Sequence, residues 1–153
     1  MIYFDNSATT KTRKEVLDTF YKVSEEFFAN PNSLHKLGLK SKKLMREAES
    51  QVATLMGVKS DEVIFTSSSS ESNNMAIKGV IDYYKYRNKL VITTELEHAS
   101  ISETLQQLRE DITVKYVELD KFGHIDLDNL NALLQEEPVL VTIHHVNSET
   151  GII

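Results

Sequence analysis

Val139-Leu140-Val141-Thr142-Ile143 is a continuous apolar run of strand length, and Asn147-Ser148-Glu149 follows a few residues later. A run without polar alternation predicts a strand covered on both faces, as in a parallel sheet with helices on either side. Working back along the chain, Leu90-Val91-Ile92-Thr93 predicts another strand, and Glu95-Leu96-Glu97-His98 leads from it into a helix from about Ser100 to Arg109. Val114 to Leu119 reads as a strand, and Asp126 to Leu134 as a helix with Asp126 near its start. Upstream, Val63-Ile64-Phe65-Thr66 reads as a short strand, then Ser67-Ser68-Ser69-Ser70-Glu71 and a helical run through Met75, Ile77, Val80, Ile81 and Tyr84.

Nearer the start, Val16, Phe20, Val23 and Phe27 recur at three- and four-residue steps, one face of a helix between Arg13 and Phe28. Asn30-Pro31-Asn32-Ser33 breaks that helix, with Ser33 as the expected cap of the next. The next helix carries Leu34, Leu37, Leu44, Ala48, Val52 and Leu55 and stops at Gly57. Helical and extended segments thus alternate, which predicts an α/β architecture with a largely parallel sheet. A doubly wound sheet ending on a buried strand calls for further elements beyond Ile153, so the chain is expected to be part of something longer.

The 153 residues suffice for one domain with a sizeable core. With 41% hydrophobic and 26% charged residues, the composition is that of a soluble globular protein, expected in the cytoplasm. No apolar run approaches bilayer-spanning length, so no membrane partner is expected. A net charge of −6 argues against nucleic acid as a partner, since phosphate neutralisation needs a basic surface. Without cysteine, the chain forms no disulfide and no thiolate metal site.

Three polar groups follow predicted strands. In the serine run, a helix start offers unpaired N–H groups and a positive dipole end, and the hydroxyls of Ser69 and Ser70 can donate to an anion such as phosphate. The alternative is local: Ser70 caps the helix with Glu71 close behind, and the rest is a polar turn. His98 stands at the carboxyl edge of its strand, where an imidazole can stack on a planar ring or move protons, or simply cap the helix. Glu95 and Glu97 favour its protonated form if they lie close. Asn147 can donate or accept through its amide, which suits a phenolic oxygen. His144 and His145 face opposite sides of an extended strand, so no metal site is expected from them. His35 and His124 read as isolated surface residues.

Tyr3-Phe4-Asp5-Asn6-Ser7-Ala8-Thr9-Thr10 resembles the opening of the cysteine desulfurases, a group within the class V aminotransferase family. Asn30-Pro31-Asn32-Ser33-Leu34-His35, Ile64 through Gly79, Thr93 through His98, and His145 through Gly151 resemble further signatures of that group, in the same order and spacing. The resemblance implies the fold type I architecture of pyridoxal-phosphate (PLP) enzymes. That is a three-layer α/β/α large domain, incomplete here, with residues 1–14 an N-terminal arm of the small domain and residues 15–153 belonging to the large one. It also implies a homodimer that takes L-cysteine, releases L-alanine and leaves a persulfide on an enzyme cysteine. The sulfur would pass to an iron–sulfur scaffold or another sulfur-acceptor protein. By position, Ser69 and Ser70 would meet the cofactor phosphate, His98 would stack on the pyridine ring and move a proton, and Asn147 would bond the phenolic oxygen.

Departures accompany the matches. The group usually has glycine where Ser68 stands, and a small residue and threonine at Ser69 and Ser70. A serine at 68 would be strained if that position needs positive φ. Ser148 stands where a second asparagine is usual. The Schiff-base lysine, the aspartate facing the pyridine nitrogen, the persulfide cysteine and the carboxylate-binding arginine are all expected beyond Ile153. The resemblance therefore leaves room for a selenocysteine lyase, another class V enzyme, or a non-catalytic chain that acts by binding.

Overall fold

The structure, a computed structural model, describes residues 2–153. It comprises two compact units, one ending at Phe65 and one spanning Thr66–Ile153.

The first unit is helical. Helix α1 is Lys14–Glu26 and α2 is Lys36–Met56. Ser33 does not cap α2: His35 does, its Nδ1 accepting from the Gly38 N–H at 3.3 Å, while the Ser33 N–H is spent on the Asn30 carbonyl. This corrects the Ser33 expectation, and it gives His35, exposed as expected, a capping task. The turn presses so close to α2 that a Cβ on Gly38 would stand 2.4 Å from the Ser33 carbonyl oxygen and 2.7 Å from that of Asn30. Ser41, buried in α2, donates to the Phe27 carbonyl at 3.0 Å and so ties the segment after α1 to α2. Gly57 ends α2 in the left-handed conformation at φ 68°. The strand expected over Val63–Thr66 does not form. A single 3-10 turn, Ser60–Glu62, precedes it, and no strand among the described residues pairs with it, leaving Ile64 and Phe65 more than half exposed.

The second unit is a three-layer α/β/α sandwich, as expected. Helix α3 (Ser69–Tyr83) is followed by β1 (Leu90–Thr93), α4 (Ala99–Gln107), β2 (Thr113–Tyr116), α5 (Leu127–Leu134) and β3 (Leu140–Val141). The strands are parallel, in the order β2-β1-β3. Because side chains alternate across a strand, β1 feeds two cores. Val91 packs with Ile77 of α3 and with Ile101 and Leu105 of α4, while Leu90 and Ile92 pack on the other side with Val117 and with Leu130 and Leu133 of α5.

The strand covered on both faces is β1, all four of whose residues are buried. β3 is shorter and barer than its sequence predicts: regular pairing covers two residues, and Val141 is 40% exposed. The reason is its place at the sheet edge, where it has one neighbour. The Val139 and Thr142 N–H groups still donate to the Leu90 and Ile92 carbonyls. β2 likewise stops at Tyr116, and Leu119 instead bridges antiparallel to Ile125.

Thr93 is 1% exposed, yet its hydroxyl has no hydrogen-bond partner. An unsatisfied buried hydroxyl costs about 1–3 kcal/mol, and valine has the same shape without it. Thr93→Val is therefore expected to raise the denaturant midpoint, by about 1 kcal/mol in stability. A fall in midpoint would mean that the hydroxyl has a partner after all. Gly38→Ala is expected to do the opposite: two backbone carbonyls cannot retreat from a new Cβ, so the helical unit should lose thermal stability.

Candidate functional site

The cap of α3 is Ser68, and not Ser70 as the local alternative had it. The Ser68 Oγ accepts from the Glu71 N–H at 3.3 Å. Its backbone is extended at φ −165°, so a serine sits there without strain and contributes a cap that glycine lacks. Glu71 reaches back, its Oε2 accepting from the Ser67 N–H at 2.6 Å and the Ser67 hydroxyl at 2.7 Å. These two bonds, the backbone one first, hold the Glu71 carboxyl below its ordinary value. With Ser68 and Glu71 committed, Ser69 and Ser70 occupy the first two helical positions. Their N–H groups have no intrahelical partner, and their hydroxyls bond to no other described residue. Both side chains are exposed.

His98 caps α4 with its side chain. Nδ1 accepts from the Ser100 N–H at 3.1 Å and lies 2.9 Å from the Ser100 hydroxyl. An amide N–H can only donate, so Nδ1 is the acceptor and the neutral ring carries its proton on Nε2. Ser100 is buried, and its hydroxyl accepts in turn from Asn73 Nδ2 of α3 at 2.8 Å. The start of α3 and the His98 ring are thus linked by one hydrogen-bonded chain. Glu97, next to His98, turns elsewhere: its Oε1 accepts from the His144 N–H at 2.8 Å and faces His144 Nδ1 at 3.0 Å. Nothing in the sequence signals this pairing beyond the adjacency of His144 and His145, of which only His144 is drawn in.

Asn147 is 8% exposed. Its Nδ2 donates to the Leu96 carbonyl at 3.1 Å, and its Oδ1 accepts from the N–H groups of Glu149 and Thr150 and from the Thr150 hydroxyl. The oxygen is saturated, whereas one amide hydrogen is uncommitted, so toward a ligand Asn147 is a donor.

His98 and Asn147 line one cleft of about 350 Å³ with Glu95, Glu97, His144 and Glu149. It opens at the carboxyl ends of β1 and β3, the edge where open α/β sheets take ligands. Ser69 and Ser70 do not line it; Asn73, one turn further along the same helix, bonds Ser100, which bonds His98. Their two N–H groups and two hydroxyls at a positive helix end fit a phosphate. The exposed imidazole and the spare amide hydrogen fit a planar ring bearing a phenolic oxygen. His124 is a surface residue as expected, but it is not idle, pairing with Asp120 at 3.1 Å. No group of three or more metal-ligating side chains occurs among the described residues, and none of their helices is long and apolar enough to cross a membrane.

The sequence model of the aminotransferase class-V family matches residues 2–153. The chain belongs to that family. It is 43% identical over its whole length to the NifS/IcsS protein homologue of Lactobacillus delbrueckii, covering 40% of that protein. It is 40% identical to the cysteine desulfurase IscS of Dictyoglomus turgidum, over 99% of this chain and 39% of that one. Among solved structures, a NifS-like protein superposes with a TM-score of 0.91 at 37% identity, over 97% of this chain and 41% of its own. The chain thus spans about two fifths of the length of these relatives. The family is PLP-dependent, and the fold is that of its cysteine desulfurases.

A carboxyl whose folded value is depressed adds stability above its unfolded value and loses it as pH falls through the folded one. The Glu71 midpoint, followed by carbon NMR, is accordingly expected below the ordinary 4.5, with the α3 start loosening only under more acid conditions. Glu71→Gln should abolish that acid step. A midpoint at or above 4.5 would show that Ser67 does not hold the carboxylate.

Proposed function

We propose that the protein to which this chain belongs is a PLP-dependent cysteine desulfurase. Its reaction would be L-cysteine to L-alanine, with the sulfur left on an enzyme cysteine for iron–sulfur assembly or thiolation. The observation that carries the reading is the shared cleft. A ring-facing imidazole and an amide donor meet at the carboxyl ends of two parallel strands, and Asn73 and Ser100 link them to an open helix start that suits phosphate. The names of the relatives support the substrate. A homodimer, a sulfur-acceptor partner in the cytoplasm, and residues 1–14 as an arm of a small domain belong to the same reading and rest on the resemblance alone.

Each residue has a stated task. The N–H groups and hydroxyls of Ser69 and Ser70 hold the phosphate with charge-assisted bonds, and the α3 dipole adds to them. His98 would take the pyridine ring and presents Nε2–H. Asn147 would donate to its phenolic oxygen. The cofactor, when bound, supplies an electron sink at the substrate's α-carbon. None of the lysines among the 153 residues stands in the sequence context expected of a Schiff-base lysine, so this stretch binds and orients but is expected to be inactive alone.

Two measurements test this. The full-length protein should bind PLP, show its absorption and release alanine from cysteine, while the 153-residue chain alone gives no turnover. Alanine release by the short chain would refute the division of labour. Ser70→Ala in the full-length protein should weaken PLP binding by about 10- to 150-fold, the worth of a hydrogen bond to a charged group. Unchanged PLP affinity would remove Ser70 from the site.

A further inference from the structure

Two imidazoles line the cleft, and their nitrogens are arranged in opposite senses. His98 presents Nε2–H, because its Nδ1 must accept from the Ser100 N–H. It can receive a proton at Nε2 only by exchanging tautomers, which breaks that bond. His144 is the reverse. Its Nδ1 faces the carboxylate of Glu97, whose side chain is only 4% exposed. A carboxylate accepts, so Nδ1 of His144 carries the proton and the neutral ring keeps its lone pair on Nε2. That nitrogen makes no hydrogen bond to any other described residue, and the His144 side chain retains 21% exposure.

Glu97 is well built for this task. The same Oε1 takes the His144 N–H at 2.8 Å and the Thr94 hydroxyl at 3.3 Å, so the carboxylate is locked from two sides before it meets the ring. A buried carboxylate that orients an imidazole is the arrangement by which acid–base histidines are held in one tautomer.

We propose that His144 is a second acid–base group of this cleft, an acceptor through Nε2 that complements the donor His98, with Glu97 as its positioning residue. The ligand it serves is the amino acid substrate, through a protonated group such as the ammonium or the thiol. One proton leaves that group for Nε2, the ring becomes an imidazolium beside the Glu97 carboxylate, and the same proton returns to the product. No electrons are exchanged and no other reactant is needed. The proposal rests on the cleft being the ligand site described above. Besides Glu97, the titratable groups lining that cleft are His98, Glu95 and Glu149, and His124 lines the smaller pocket on which His144 also borders.

The test uses the full-length protein with nitrogen-labelled histidine. NMR should show the proton on Nδ1 in His144 and on Nε2 in His98, a readout that needs neither cofactor nor turnover. The same tautomer in both rings would overturn the proposal. His144→Asn keeps a donor for Glu97 but removes the Nε2 acceptor. It should retain PLP, lower kcat by about 100-fold and erase one limb of the pH profile. Glu97→Gln should lower kcat and shift the His144 tautomer balance, whereas a merely structural Glu97 would leave that balance unmoved. Unchanged kcat and pH profile in His144→Asn would sink the role. Failure of the unsubstituted protein to bind PLP would instead overturn the functional reading, and the tautomer measurement would still decide the arrangement of the two rings.

Discussion

The Thr66–Ile153 unit is organised by the double-sided pairing of β1. Its four residues register with Thr113–Tyr116 on one edge and with Leu140 and Val141 on the other, and all four are buried. Since a strand sends alternate side chains to opposite faces, this one strand seeds the α3–α4 core through Val91 and the α5 core through Leu90 and Ile92. It also decides where the chemistry can lie. A parallel sheet brings the carboxyl ends of its strands to a common edge, and the residues after β1 and after β3 meet there because those strands are neighbours. Sequence separation does not matter to this: Leu96 and Asn147 share a hydrogen bond across 51 positions.

Much of this order was legible beforehand, for reasons particular to each element. Asp126 stands at the start of α5 as expected, and there its side chain caps the helix by accepting from the Asn129 N–H. Leu90–Thr93 reads as a strand because four apolar or β-branched residues in a row suit a site buried on both faces. Val139–Ile143 has the same pattern, yet its strand is the barer one. Periodicity reports what a segment can bury and not how many neighbours it has. Val63–Thr66 failed similarly: β-branched and aromatic residues give extended backbone, and a ladder needs a partner that local sequence does not specify. The caps failed by two positions each, Ser68 for Ser70 and His35 for Ser33. In both turns several side chains could accept, and the backbone geometry chose among them.

The site was legible in its members and not in its connections. Ser69, Ser70, His98 and Asn147 could be named from their places after strands and from resemblance. Asn73 and Ser100, which tie helix α3 to His98, could not. A hydrogen bond between two helices depends on their packing, and nothing in Ser100 itself announces that its hydroxyl will sit between an amide and an imidazole. His144 was set aside as one of an adjacent pair unable to share a metal. That reasoning concerned metals alone, and it left open what a lone inward-turned imidazole would meet.

What it meets is set by a contest over Glu97. Glu97 directly precedes His98, and a carboxylate so placed could have paired with that ring. It does not: His98 Nδ1 closes the first turn of α4 on the Ser100 N–H, an otherwise unpaired group at the helix start, and Nε2–H stays free. Glu97 is then left buried, and a buried carboxylate must find donors. The nearest lie on the segment after β3, where the His144 N–H and ring both answer. The α4 cap thus fixes the proton position on one ring, and the buried carboxylate fixes it on the other. A cleft built this way offers a donor and an acceptor side by side, a polarity that neither histidine's sequence context contains.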